Sequence, residues 1–162
     1  MEERFVQFQA IDIGTPLDQS LEAIQKEFGK ALVGCHLVII DKYFLKIKNE
    51  DSEKYANAFA AWLRRNKIMT LCIYSLAAGH GCEKFWGQLQ SMCENTIDCK
   101  LKHAINMVHD RIWLSSYDFK NYTAVTVGTS FNSLGRNLCF ANKLPDSDVK
   151  VLLEHSKGIV SR

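Results

Sequence analysis

Apolar and polar positions change their period along this chain. Residues 5–11 alternate, which is the two-residue period of a strand. Thr15-Pro16 then opens a helix whose apolar face carries Leu21, Ile24, Phe28 and Leu32. The run His36 to Ile40 is short, apolar and β-branched, and reads as a buried strand. Residues 43–47 predict a second, shorter strand. Asp51-Ser52-Glu53 starts a helix with Tyr55, Phe59, Trp62 and Leu63 at helical spacing. Residues 67–76 read as another buried strand, 77–81 as a loop, and 83–95 as a helix with Phe85, Trp86, Leu89 and Met92 on its apolar face. The pattern then changes. Residues 100–105, 108–115, 123–128 and 137–144 all read as strands, with a hairpin turn at 117–121. Pro145-Asp146-Ser147-Asp148 caps a last helix that runs to about His155. Helix–strand alternation followed by a run of strands predicts an α/β or α+β arrangement, a mixed sheet flanked by helices. No repeat, linker or low-complexity segment interrupts it, so residues 1–162 are expected to form one domain.

Composition supports a packed core, with 47% hydrophobic residues in 162. Twenty basic and 18 acidic residues leave a net charge of +2, so any basic footprint must be local. The six cysteines, at positions 35, 72, 82, 93, 99 and 139, form no CxxC pair. They read as reduced thiols rather than as a disulfide framework or a zinc site. No apolar run approaches the roughly 20 residues of a membrane span. Met1-Glu2-Glu3-Arg4 leads straight into the first alternating segment, unlike a signal peptide. The expectation is a cytoplasmic protein with no membrane partner.

Chemistry concentrates in two places. His109 and Arg111 sit two residues apart on an expected strand, where side chains at that spacing point the same way. Gly128-Thr129-Ser130-Phe131-Asn132 follows and offers small donors. A nucleophilic imidazole, a cation, and hydroxyl and amide donors are what a phosphate-ester site needs. Asp41 and Asp118 are both candidates to orient His109. Lys143 is a candidate second cation. His80 reads as a loop residue, His36 as structural, and His103 with Arg64, Arg65 and Lys67 as separate solvated faces. Trp62, Trp86 and Phe85 fall at helical spacing and read as core.

His109-x-Arg111, a hairpin, and Gly128-Thr129-Ser130-Phe131-Asn132 together resemble the half-site motif of the phospholipase D superfamily. That motif runs HxKxxxxD, then a glycine, a serine or threonine, and an asparagine. The resemblance covers residues 108–144 by motif, and the preceding strand–helix alternation is what one superfamily repeat would show. It implies an α-β-α sandwich and a site built from two such motifs; with one motif per chain, it implies a homodimer. His109 then matches the nucleophile that forms a phosphohistidine. Arg111 takes the position of the phosphate-binding lysine. Asn132 completes the implied catalytic set, with Thr129, Ser130 and Lys143 as phosphate ligands. No metal or other cofactor is implied. Two positions depart from the pattern: arginine stands for lysine, and Ser116 occupies the aspartate position. Branches with HxR include non-catalytic members. The expected function is a metal-independent, nuclease-like phosphodiesterase acting on nucleic acid. The alternative is a non-catalytic binding or assembly module within a larger protein complex.

Overall fold

In a computed structural model, residues 9–76, 82–104 and 110–156 are described. Seven strands form a single mixed sheet: β1 (Gln9–Ile11), β2 (His36–Ile40), β3 (Thr70–Ser75), β4 (Asp98–His103), β5 (Ile112–Ser116), β6 (Thr123–Val127) and β7 (Cys139–Lys143). Their spatial order is β1-β7-β6-β5-β2-β3-β4. Strands β2, β3 and β4 are mutually parallel, and every other pairing is antiparallel. One end of the sheet therefore gathers the carboxyl ends of β1, β2, β3, β4 and β6 with the amino ends of β5 and β7. The site is built at that end.

Helices α1 (Leu17–Phe28), α2 (Ser52–Arg65) and α3 (Cys82–Cys93) supply the parallel connections, and α4 (Asp146–His155) follows the last strand. The two-residue period of the strands separates two cores. Leu37, Ile39, Leu71, Ile73, Trp113 and Val125 face α1, α2 and α3, whose Leu21, Ile24, Phe59, Trp62 and Phe85 are fully buried against them. Val38, Ile40, Tyr74, Ile112, Leu114 and Ala124 face the other way and meet Val149 of α4, with Leu152 and Leu153 half-buried beside it. The α/β arrangement with a mixed sheet flanked by helices is thus present. Among the described residues three helices cover one face and one helix the other.

Residues 43–47 are not a strand. Phe44, Leu45 and Ile47 are all buried, at 0, 1 and 3% exposure, so the segment lacks an alternating solvent face. It folds as consecutive turns, closed by the Phe44 N–H to the Asp41 carbonyl at 3.1 Å and the Lys46 N–H to the Tyr43 carbonyl at 3.0 Å. Its apolar residues are anchors: Phe44 stacks on Phe131 at 4.6 Å and meets Phe59, Phe85 and Trp113 edgewise or tilted. Of the alternating segment 5–11, residues 9–11 form β1, and residues 1–8 lie outside the described residues. Among the described residues no helix is long and apolar enough to cross a membrane.

Candidate functional site

The centre of the site is a carboxylate at the end of an apolar strand. Asp41 directly follows Ile40 and is 1% exposed. A buried carboxylate needs donors, since an ion left unpaired in a low-dielectric interior is very costly. Asp41 has three within reach. Its Oδ1 accepts from the Tyr43 N–H and the Ser130 hydroxyl, both at 3.0 Å. Its Oδ2 accepts from the Phe131 N–H at 3.3 Å. Ser130 sits three residues past β6, and β5 lies between β6 and β2. The loop after β6 therefore reaches across the end of β5 to close on the end of β2.

Arg111 completes the arrangement. It stands one residue before β5, not within it, although its carbonyl still accepts from the Val127 N–H at 3.0 Å and continues the ladder. Its Nε donates to Ser130 Oγ at 2.8 Å and lies 4.0 Å from Asp41 Oδ1. Ser130 is a relay, with its proton committed to the carboxylate and a lone pair taking the guanidinium N–H. The serine is 5% exposed, whereas the arginine side chain is 33% exposed. Among the described residues only Nε of the guanidinium is engaged. Among the described residues, neither terminal amino group has a partner. Two parallel N–H donors in a fixed fork suit a phosphate or carboxylate.

Burial pushes the Asp41 carboxyl above its ordinary 3.8. The N–H groups of Tyr43 and Phe131, the Ser130 hydroxyl and the Arg111 charge pull the other way. Asp118, by contrast, is held well below the carboxylate range by the backbone N–H groups of Asn121 and Lys120 and by the Asn121 amide. It serves a turn, and the Ser116 hydroxyl shares it, receiving the Asp118 and Phe119 N–H groups at 3.3 and 2.9 Å. Both residues lie at the carboxyl end of β5, about 16 Å along the strand from Arg111 at its usual rise. Of the two candidate carboxylates, Asp41 is the one at Arg111's end of the sheet.

The remaining expected site residues separate. His109 lies outside the described residues, as does His80. Thr129 is half-buried beside Ser130. Asn132 donates its amide to the Lys46 carbonyl at 2.7 Å and accepts from Ser133 Oγ at 3.1 Å, pinning the loop after β2 to the loop after β6. Its own carbonyl receives the Tyr55 hydroxyl at 3.2 Å. Lys143 pairs across the sheet with Val125, two residues in from the Val127 that bonds to Arg111, and its N–H goes to Glu27 Oε2 at 2.9 Å. The structure brings Arg111 and Ser130 together, commits Asn132 of the same loop to Lys46, and leaves Lys143 apart.

Two clefts of about 460 Å³ take residues from this region, one at Arg111 and one at Asn132. One is lined by Arg111, Asp110, Thr126, Gly128 and Asn142 among others. The second is lined by Lys46, Lys48, Asp51, Tyr55, Asn132 and Arg136 among others. Sequence reading missed what steadies the loop. Phe131, the variable position of the Gly-Thr-Ser-x-Asn cluster, is 1% exposed and packs on Phe44, Tyr55, Phe59 and Phe85. A large aromatic between two polar residues was the available signal. Among the described residues no group of three or more His, Cys, Asp or Glu side chains is placed to hold a metal.

No protein-family model matches this chain, and no curated protein matches it.

Proposed function

We propose that this chain is a phospholipase D-like phosphodiesterase of the nuclease type, contributing half of a two-histidine site. The observation that carries the reading is the meeting of Arg111 and Ser130 over buried Asp41. It fixes a cation two residues after His109 in sequence, with its two terminal donors unengaged among the described residues. In the reaction, His109 attacks phosphorus, a P–N bond forms and the P–O bond to the leaving group breaks. The partner subunit's His109 gives that oxygen its proton. Water then attacks the phosphohistidine, loses its proton to the same base, and the P–N bond breaks. Arg111 holds the non-bridging oxygens through both steps, where charge builds on them. Asp41 and Ser130 position Arg111 and do not touch substrate.

Histidine and arginine perform the roles a metal would otherwise fill, so the activity is expected to survive chelation. The test is hydrolysis of single- and double-stranded DNA and RNA in EDTA, wild type against His109→Ala. Turnover by the wild type and its loss in a folded variant support the proposal; equal turnover by both overturns it. The native mass is expected to be that of a dimer, because one chain carries one histidine of the pair.

One observation favours a second reading, a non-catalytic phosphate-binding or assembly module. The Asn132 amide is committed to the Lys46 carbonyl, and Ser116 fills the motif's aspartate position at the far end of β5. That reading predicts phosphate or oligonucleotide binding that depends on Arg111, with no turnover in the same assay.

A further inference from the structure

The loop between β2 and α2 carries features that the phosphodiesterase reading does not use. From Lys42 through Asn49 the chain carries three lysines, at 42, 46 and 48, and no acidic residue. Tyr43, at the start of this run, is 40% exposed, although its neighbours Phe44 and Leu45 are buried. The Nζ atoms of Lys42 and Lys46 lie 5.7 and 5.9 Å from the centre of its ring. Both cations lie close to the ring, and buried Asp41 and Phe44, before and after it in sequence, restrain its backbone. Tyr43 donates its own N–H to Asp41, so the platform and the Arg111 centre share one carboxylate.

The positive charge continues away from the ring. Lys46 also lines the cleft of about 460 Å³ with Lys48 and Arg136. Lys84 reaches the rim, its Nζ at 3.5 Å from the Asn49 carbonyl. Two acids share the cleft, Glu50 and Asp51; Asp51 is paired with Arg136 at 3.4 Å. An exposed aromatic flanked by lysines beside a basic cleft suits one ligand chemistry above others. A base stacks on the ring while successive phosphates follow the cations. Duplex nucleic acid keeps its bases stacked inside and gives such a ring nothing to cover.

Resting on the nucleic-acid reading of the site, we propose that Tyr43, Lys42, Lys46 and Lys48 form a binding platform for single-stranded nucleic acid. It adjoins the Arg111 centre, with which it shares Asp41. A base stacks on Tyr43, and the backbone runs over Lys46 and Lys48 into the adjoining cleft.

The experiment is fluorescence anisotropy with a labelled oligo(dT) of about 12 nucleotides, within the span one such platform covers. The full chain is used as its His109→Ala variant, so that the probe stays intact. Tyr43→Ala is expected to weaken binding at least about five-fold, the lower end of what losing one stacked base removes. Tyr43→Phe, which keeps the ring, is expected to bind as its parent. Changing Lys42 and Lys46 together to Gln is expected to weaken binding and flatten the log–log salt dependence by roughly 1.4, as expected for two lost phosphate contacts on a single strand. A blunt duplex of equal length is expected to bind more weakly. Binding by Tyr43→Ala equal to its parent, or equal affinity for the duplex, overturns the platform. Should Tyr43→Ala fail to fold, the lysine pair decides, with an unchanged salt slope as the overturning result. Tyr43-dependent binding without any phosphodiester cleavage by the wild type leaves the platform standing and removes the catalytic reading. Cleavage of a small phosphodiester by the wild type, with indifference to Tyr43, does the reverse.

Discussion

Replacing Asp41 with alanine tests the construction of the site at its foundation. The side chain is 1% exposed and accepts from two backbone N–H groups and one hydroxyl. Alanine leaves the Tyr43 and Phe131 N–H groups without an acceptor, and each unmade bond at a buried donor costs about 1–3 kcal/mol. Relief from burying a carboxylate, the largest influence on Asp41, opposes this. The net expectation is a loss of about 2–4 kcal/mol, below the 3–5 typical of breaking a fully buried ion pair. Arg111 is one-third exposed, so its contribution through Asp41 is correspondingly smaller. For a chain of this size the loss corresponds to a fall in Tm of roughly 4–16 °C. Urea denaturation followed by tryptophan fluorescence measures it. A loss below about 1 kcal/mol, with Arg111-dependent phosphate binding intact, would refute the claim that Asp41 holds the centre together.

The same residue gives a pH signature. Its carboxyl is raised in the folded chain above the ordinary 3.8, so the folded state keeps a proton that the unfolded state has already released. That contribution to stability is fully present below 3.8 and is lost as pH rises through the raised value. Asp41→Asn keeps the shape and removes the titration. The stability of wild type relative to Asp41→Asn is therefore expected to fall as pH is raised above about 4 and then level off. A difference that grows with pH would mean that Arg111 and the three donors outweigh burial.

Two further predictions follow from particular contacts. Arg111→Lys installs the lysine of the motif that the chain resembles, yet it is expected to weaken inhibition by inorganic phosphate by about ten-fold, since an ammonium lacks the planar fork that offers two parallel donors while Nε holds Ser130; tighter binding would contradict the role given to Nε. Gly135→Ala is expected to destabilise the fold more than Gly14→Ala, although both glycines have positive φ, +78° and +83°. An added Cβ at Gly135 would lie 2.1 Å from the Thr15 carbonyl oxygen, whereas Gly14 opens on free space. Equal falls in Tm would show that the contact with Thr15 relaxes.

The elements were legible where burial follows one period. His36–Ile40 and the apolar stripe of α2 stand where a continuous apolar run and helical spacing place them, because each packs on a regular neighbour. Residues 43–47 were misread because their apolar side chains are tertiary anchors. Phe44 reaches Phe131 across the core, a partner that no local period can announce. The site was legible in part for the same reason. Arg111 and Ser130 stood out through their motif. Asp41 was one of two carboxylates that the residues alone could not separate. Its partners are 70 and 89 positions away in sequence, and only the antiparallel pairing of β2 with β5 brings them to one end of the sheet.

The central claim, that His109 acts as a nucleophile, is tested most directly by trapping the intermediate. Wild type and His109→Ala are mixed with a phosphodiester carrying a radioactive phosphate, in EDTA, and quenched in denaturant at alkaline pH. Label is expected on the wild-type protein, stable to base and released by acid, and absent from His109→Ala. Turnover by the wild type with no label on the protein, or label persisting on the variant, would contradict the account.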